Sequence, residues 1–99
     1  MAKTFTLDYF AEKAIEENIN MIVPWYLMAA CAYYKEDSPI LSDDLFDNMA
    51  KKMLNEYDTI EHYHKELITK EDLSAGTYLG KYPERVAGGL RSLRKTYRI

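Results

Sequence analysis

The chain carries a single cysteine, Cys31, so no internal disulfide can form and nothing calls for an oxidising compartment. It also lacks an apolar run long enough to cross a bilayer. The longest, residues 21–34, has 14 residues and contains Pro24, against the roughly 20 that a spanning helix needs. No apolar stretch follows Lys3, so no signal peptide is expected and the cytoplasm is the expected location. No Walker loop, GxGxxG, HExxH or CxxC string occurs, which removes the common phosphate, dinucleotide and zinc machineries. The two histidines, His62 and His64, stand at i and i+2, on different sides of a helix, and make poor co-ligands. No metal site is expected. No internal repeat or low-complexity linker divides the chain, so 99 residues should form one domain, 1–99.

Arginine is missing from most of the sequence. All four arginines lie in residues 81–99, where six basic residues face Glu84 alone, a balance of +5. Residues 1–80 hold seven lysines and 15 acids, a balance of −8. Such asymmetry invites a polyanion or an acidic partner at the C-terminal end.

What is present is mostly apolar and aromatic: 47% of residues are apolar and nine are tyrosine. A phenol joins a flat apolar face to a polar tip, so tyrosine suits a core, an interface or a ligand cleft. The periodicity is helical nearly throughout, with no strand signal. Leu7, Phe10, Ala11, Ala14, Ile15, Met21 and Ile22 share one face of a first helix. Pro24 belongs in the first turn of a second helix, about residues 23–36, apolar nearly all round as a central helix should be. Leu27, Cys31 and Tyr34 form one of its stripes, which makes Cys31 a core residue rather than a nucleophile. Tyr26, Ala29, Ala30 and Tyr33 form another, and its alanines beside Tyr33 leave room for something flat.

Asp37-Ser38-Pro39 ends that helix, because the residue before proline is pushed from helical angles. Ser42 is a good N-cap for a third helix, with Asp43 and Asp44 in the first turn. Phe46, Met49, Ala50, Met53, Leu54 and Tyr57 give it a core stripe. Another helix is expected over residues 60–67, and Thr69 with Asp72 has capping-box spacing for a short segment reaching about residue 79. The last helix starts at Tyr82-Pro83, packs by Val86, Leu90, Leu93 and Tyr97, and shows Arg91, Lys95 and Arg98 on its other side with Arg94 between. Gly88-Gly89 weakens it by roughly 1 kcal/mol per glycine, so close packing against a neighbour is expected. The expected fold is an all-α single-domain bundle of about five to six short helices.

The corner from Tyr33 to Asp47 is the richest stretch. Asp43 and Asp47, at i and i+4, share one helix face with Phe46 beside them, and Tyr33 and Tyr34 end the preceding helix. A flat heteroaromatic with an attached ribose wants that set: a ring face to stack on and carboxylates to accept from hydroxyls or an amide. A cationic ring would gain further from the nearby negative charge. The same residues also have a structural reading, in which Ser42, Asp43 and Asp44 cap a helix while Tyr34 and Phe46 fill the core. Nothing in the sequence sets one aspartate as an acid and the other as a base, so no acid–base enzyme is expected.

At this stretch, Tyr33-Tyr34-Lys35-Glu36-Asp37-Ser38-Pro39-Ile40-Leu41-Ser42-Asp43-Asp44-Leu45-Phe46-Asp47, the chain resembles domain Ia of bacterial NAD-dependent DNA ligases. That family's N-terminal helical module carries a pattern close to YHxxDxPxxxDxEYD. The likeness covers residues 24–58 and includes the amphipathic helix that follows. In the family this module grips the nicotinamide mononucleotide (NMN) half of NAD while a lysine elsewhere attacks the adenylyl phosphorus. The resemblance implies a cofactor site of Tyr33, Tyr34, Asp43, Phe46 and Asp47. Tyr34 stands where the family has histidine and Phe46 where it has tyrosine. Each lost polar contact is worth on the order of 1 kcal/mol, so the implied NAD or NMN binding is weak. The family's adenylated lysine sits in KxDG, a string absent here, so the chain is not expected to ligate alone.

Two functions follow. The resemblance implies a free-standing domain Ia-like scaffold, of the kind a short viral or mobile-element reading frame would encode, expected to bind nicotinamide nucleotides or to act in trans with an adenylating enzyme. Alternatively it is an adaptor whose basic helix over residues 81–99 docks Arg91, Arg94, Lys95 and Arg98 on nucleic acid or an acidic protein.

Overall fold

The computed structural model describes residues 7–62, 65–75 and 82–97. These form five α-helices: α1 (Asp8–Glu17), α2 (Ile22–Ala30), α3 (Asp43–Asn55), α4 (Lys70–Ala75) and α5 (Glu84–Tyr97). No strand occurs among the described residues. The fold is all-α with one continuous core. No described helix is long and apolar enough to cross a membrane.

Helix α2 is the centre of the bundle, packed by α1, α3 and α5. Seven of its nine residues are buried, including Trp25, Tyr26 and Leu27, which is why its sequence shows no polar stripe. Pro24 falls in its first turn, where N–H groups lack helical partners anyway. Gly89 of α5 allows a close approach to this helix: a Cβ there would lie 3.2 Å from the Met28 Sδ. Gly88 has no such reason, since a Cβ there would meet only the Arg91 guanidinium at 3.7 Å.

The first helix is shorter than its apolar pattern. Asn18, in an extended conformation, stops α1 and accepts from the Asn20 N–H, opening a 3₁₀ turn over Ile19–Met21. Leu7, Ala11 and Ile15 still face the core. Met21 is turned outward by the break, and Phe10 is partly exposed against the Tyr97 ring, 4.9 Å away.

The helix expected over residues 60–67 does not form. Its described backbone is irregular apart from a 3₁₀ turn at Lys65–Leu67. Side chains take the bonding that would have gone to an i→i+4 ladder. Lys65 Nζ donates to the Tyr57 and Ile60 carbonyls, the Tyr57 hydroxyl donates to Ile68 O at 2.6 Å, and Asn20 Oδ1 accepts from Glu61 N–H. So short a helix has little stability of its own to compete with these contacts. The next segment starts as its spacing implies: Thr69 and Asp72 cap reciprocally, each side chain accepting the other's N–H at 3.1 Å. The portion expected beyond Ala75, to about residue 79, lies outside the described residues, as does His64.

Candidate functional site

The site lies where α2 ends and α3 begins. Beyond Ala30 the second helix continues, but with wider turns. Residues Cys31–Lys35 bond i→i+5, as in Glu36 N–H to Cys31 O at 3.1 Å. Such π turns are uncommon and recur at functional sites. The chain then reverses through Asp37, whose φ is +52°, a left-handed conformation rare outside glycine, asparagine and aspartate. Ser38 N–H closes the end on Ala32 O at 2.9 Å. The stop signal read from Ser38-Pro39 therefore acts one residue earlier, at Asp37.

Distant elements hold this corner in place. Leu7 N–H donates to Ile40 O at 2.8 Å, and Asp8 Oδ1 accepts the Ser42 N–H at 2.9 Å. Ser42 Oγ in turn accepts from Leu45 N–H, so α3 is capped as expected. The other half of a capping box comes from α1 rather than from α3 itself. On the opposite side, Arg94 of α5 donates to Glu36 Oε1 at 2.9 Å and to Ser38 O at 2.6 Å. Its side chain is only 18% exposed. Arg94 is thus a strut of the corner and is taken out of the basic face expected of α5. Arg91 and Lys95 are exposed; Arg98 lies outside the described residues.

Between these supports is a concavity of about 250 Å³, lined by Tyr33, Tyr34, Asp43, Phe46 and Asp47. All five cofactor residues expected from the sequence are thus brought together. Phe46, 7% exposed, forms the floor and stacks on buried Tyr26, with centroids 4.8 Å apart and planes at 6°. Tyr33 lies 6.2 Å from Phe46 at 10°, and Tyr34 meets Tyr33 at 4.9 Å and 60°. The two tyrosines remain 42% and 36% exposed. Asp43 and Asp47 are exposed on the facing turns of α3. Phe46 therefore floors the cleft without closing it. Burial, then Tyr33 and Asp47, push the Tyr34 phenol above its usual range, so it is a neutral hydroxyl, able to donate, at neutral pH. Ala29 and Ala30 do not line the cleft; both are buried in the core.

In the sequence Tyr26 is only part of an apolar stripe, yet it underlies the site. Its ring supports Phe46, and its buried hydroxyl has no hydrogen-bond partner among the described residues. Its spacing of seven from Tyr33, two helical turns, is the one signal that could have placed it there. A larger groove of about 340 Å³ runs between α1 and α3 over Ile15, Leu45 and Met49, rimmed by Glu12, Glu16 and Lys52. It has no aromatic face. Leu45 reaches this groove from a position where the domain Ia pattern has glutamate. No group of three His, Cys, Asp or Glu side chains converges among the described residues.

Comparison with family models, curated proteins and solved structures found no match to this chain.

Proposed function

We propose that the chain works in the cytoplasm as a non-catalytic, domain Ia-like binding module whose corner cleft takes the nicotinamide end of NMN or NAD. An adenylating enzyme is the partner such a module would serve in trans. The observation that carries the reading is the convergence of Tyr33, Tyr34, Asp43, Phe46 and Asp47 on one open concavity. Its aromatic wall offers a stacking face, and its carboxylates accept from the carboxamide and ribose hydroxyls. The volume of about 250 Å³ is just under the roughly 300 Å³ at which ligand pockets usually begin. It suits the nicotinamide ring with part of the ribose, and it implies weak binding.

Titration of the chain with NMN and with NAD, followed by the backbone amide resonances of Asp43 and Asp47, tests this. Saturating shifts at both residues are expected. Unmoved resonances at millimolar ligand would overturn the reading. The adaptor alternative keeps Arg91, Lys95 and Arg98, since Arg94 is committed to Glu36 and Ser38. Replacing those three by alanine without loss of nucleic-acid or protein binding removes it.

A further inference from the structure

We propose that the corner cleft selects organic cations. It holds an N-alkylated pyridinium or a quaternary ammonium group against its aromatic wall, between Asp43 and Asp47, and leaves any phosphate outside. This rests on the reading of the cleft as a ligand site, but not on the ligand being a nicotinamide nucleotide.

The lining consists of three aromatic rings and two carboxylates, with no lysine or arginine. The rings already touch. Tyr33 and Phe46 are nearly parallel with centroids 6.2 Å apart, whereas a flat ring between them would need about 7 Å, two carbon–carbon contact distances. A ligand therefore lies on the outer surface of the wall instead of slotting between its rings. Aromatic faces carry negative quadrupole density and attract a cation lying within about 6 Å.

The surrounding charge has the same sign. Asp43 and Asp47 line the cleft, and Asp37 and Asp44 are exposed on the same corner. Glu36 is neutralised by Arg94, which leaves Lys35 as the remaining cation between residues 33 and 47. The carbonyl end of the extended second helix adds partial negative charge, and the partial positive charge of the α3 N-terminus is offset by Asp43 and Asp44 in its first turn. A phosphate drawn into this space would meet two carboxylates and no basic side chain in the lining. A fixed positive charge that is weakly hydrated meets attraction from both the rings and the acids. The cleft also matches such a group in size, a single ring or methylated nitrogen rather than a whole nucleotide.

The test uses the intact chain and near-isosteric probes. Amide shifts at Asp43 and Asp47 and the Tyr33 ring protons are followed with N-methylnicotinamidium, neutral nicotinamide, tetramethylammonium, nicotinamide riboside and NMN. The expected result is about tenfold tighter binding of N-methylnicotinamidium than of nicotinamide. Tetramethylammonium should move the same resonances, and the riboside should bind no more weakly than NMN. The double variant Asp43→Asn/Asp47→Asn, with its fold checked by circular dichroism, should lose the preference for charge. Tyr33→Leu should weaken every probe, and supplies the independent variant if the double one does not fold. Equal affinity for the charged and neutral amides, or NMN binding tenfold tighter than the riboside, overturns the proposal. Tight NMN binding without a charge preference would keep the nucleotide reading and sink this one. Cation binding without NMN binding would do the reverse, and silence from all probes would end both.

Discussion

Replacing Tyr26 by phenylalanine should stabilise the protein, although it removes a polar group from beneath the candidate site. The Tyr26 side chain is completely buried and its hydroxyl has no hydrogen-bond partner among the described residues. Leaving such a group unsatisfied costs about 1–3 kcal/mol. Phenylalanine retains the ring that stacks on Phe46 at 4.8 Å and 6°, so only the unsatisfied oxygen is lost. A gain of about 1 kcal/mol at pH 7 is expected, which raises Tm by about 4–8 °C in a domain of this size. A second, independent signature lies in the pH dependence. Burial pushes the Tyr26 phenol far above its usual value, with Tyr34, Asp72, Tyr82 and Asp47 adding in the same direction. The unfolded chain therefore loses this proton first, at about pH 10. Stability linked to the group is intact below that pH and falls above it, by up to about 1.4 kcal/mol per pH unit. The Tyr26→Phe variant has no such dependence, so its advantage should widen by about 1.4 kcal/mol between about pH 9 and pH 11. Urea unfolding at several pH values measures this, with buried Trp25, the single tryptophan, as the probe. A variant less stable than the wild type at pH 7 would refute the reasoning by showing the hydroxyl to be satisfied. An advantage that does not change with pH would refute it by showing that the phenol ionises as readily in the folded chain as in the unfolded one.

Arg94→Ala should destabilise by about 1–2 kcal/mol, the value of a charge-assisted hydrogen bond discounted for partial exposure. A double-mutant cycle with Glu36→Ala should recover only the ion-pair part of it as coupling, the rest belonging to the bond to Ser38 O. The same variant should broaden the Tyr33 and Tyr34 resonances, because the corner loses its tie to α5. The two glycines of α5 should respond differently: Gly88→Ala gains about 0.5–1 kcal/mol in a denaturation experiment, from helix propensity and open space. Gly89→Ala should gain less or lose, since its methyl must displace Met28. Cys31 is buried, and burial, with Glu36 nearby, raises its thiol pKa. Alkylation at pH 8 should therefore be slow and track unfolding, whereas rapid labelling of the native chain would place the thiol at the surface.

Much of the fold was legible because local chemistry decided it. Ser42 caps α3, Thr69 and Asp72 cap α4, and Pro24 sits in the first turn of α2 for reasons confined to a few neighbouring residues. The helical period placed Met49, Ala50 and Met53 inside. Local pattern failed where non-local partners competed. The apolar spacing of residues 60–67 promised a helix, but Lys65, Tyr57 and Asn20 claimed its backbone groups.

The candidate site divides in the same way. By itself the sequence determined that Asp43 and Asp47 share a face and that two tyrosines end the preceding helix, because the helical period suffices for that. Only the tertiary structure decided that these groups face one another across a cleft. That depends on the left-handed turn at Asp37, on Asp8 capping a helix 34 residues away, and on Arg94 reaching 58 residues back to Glu36. The basic face of α5 changed for the same reason. A charge pattern shows where a guanidinium sits on its helix, whereas packing determines whether it faces solvent or braces the corner beside it.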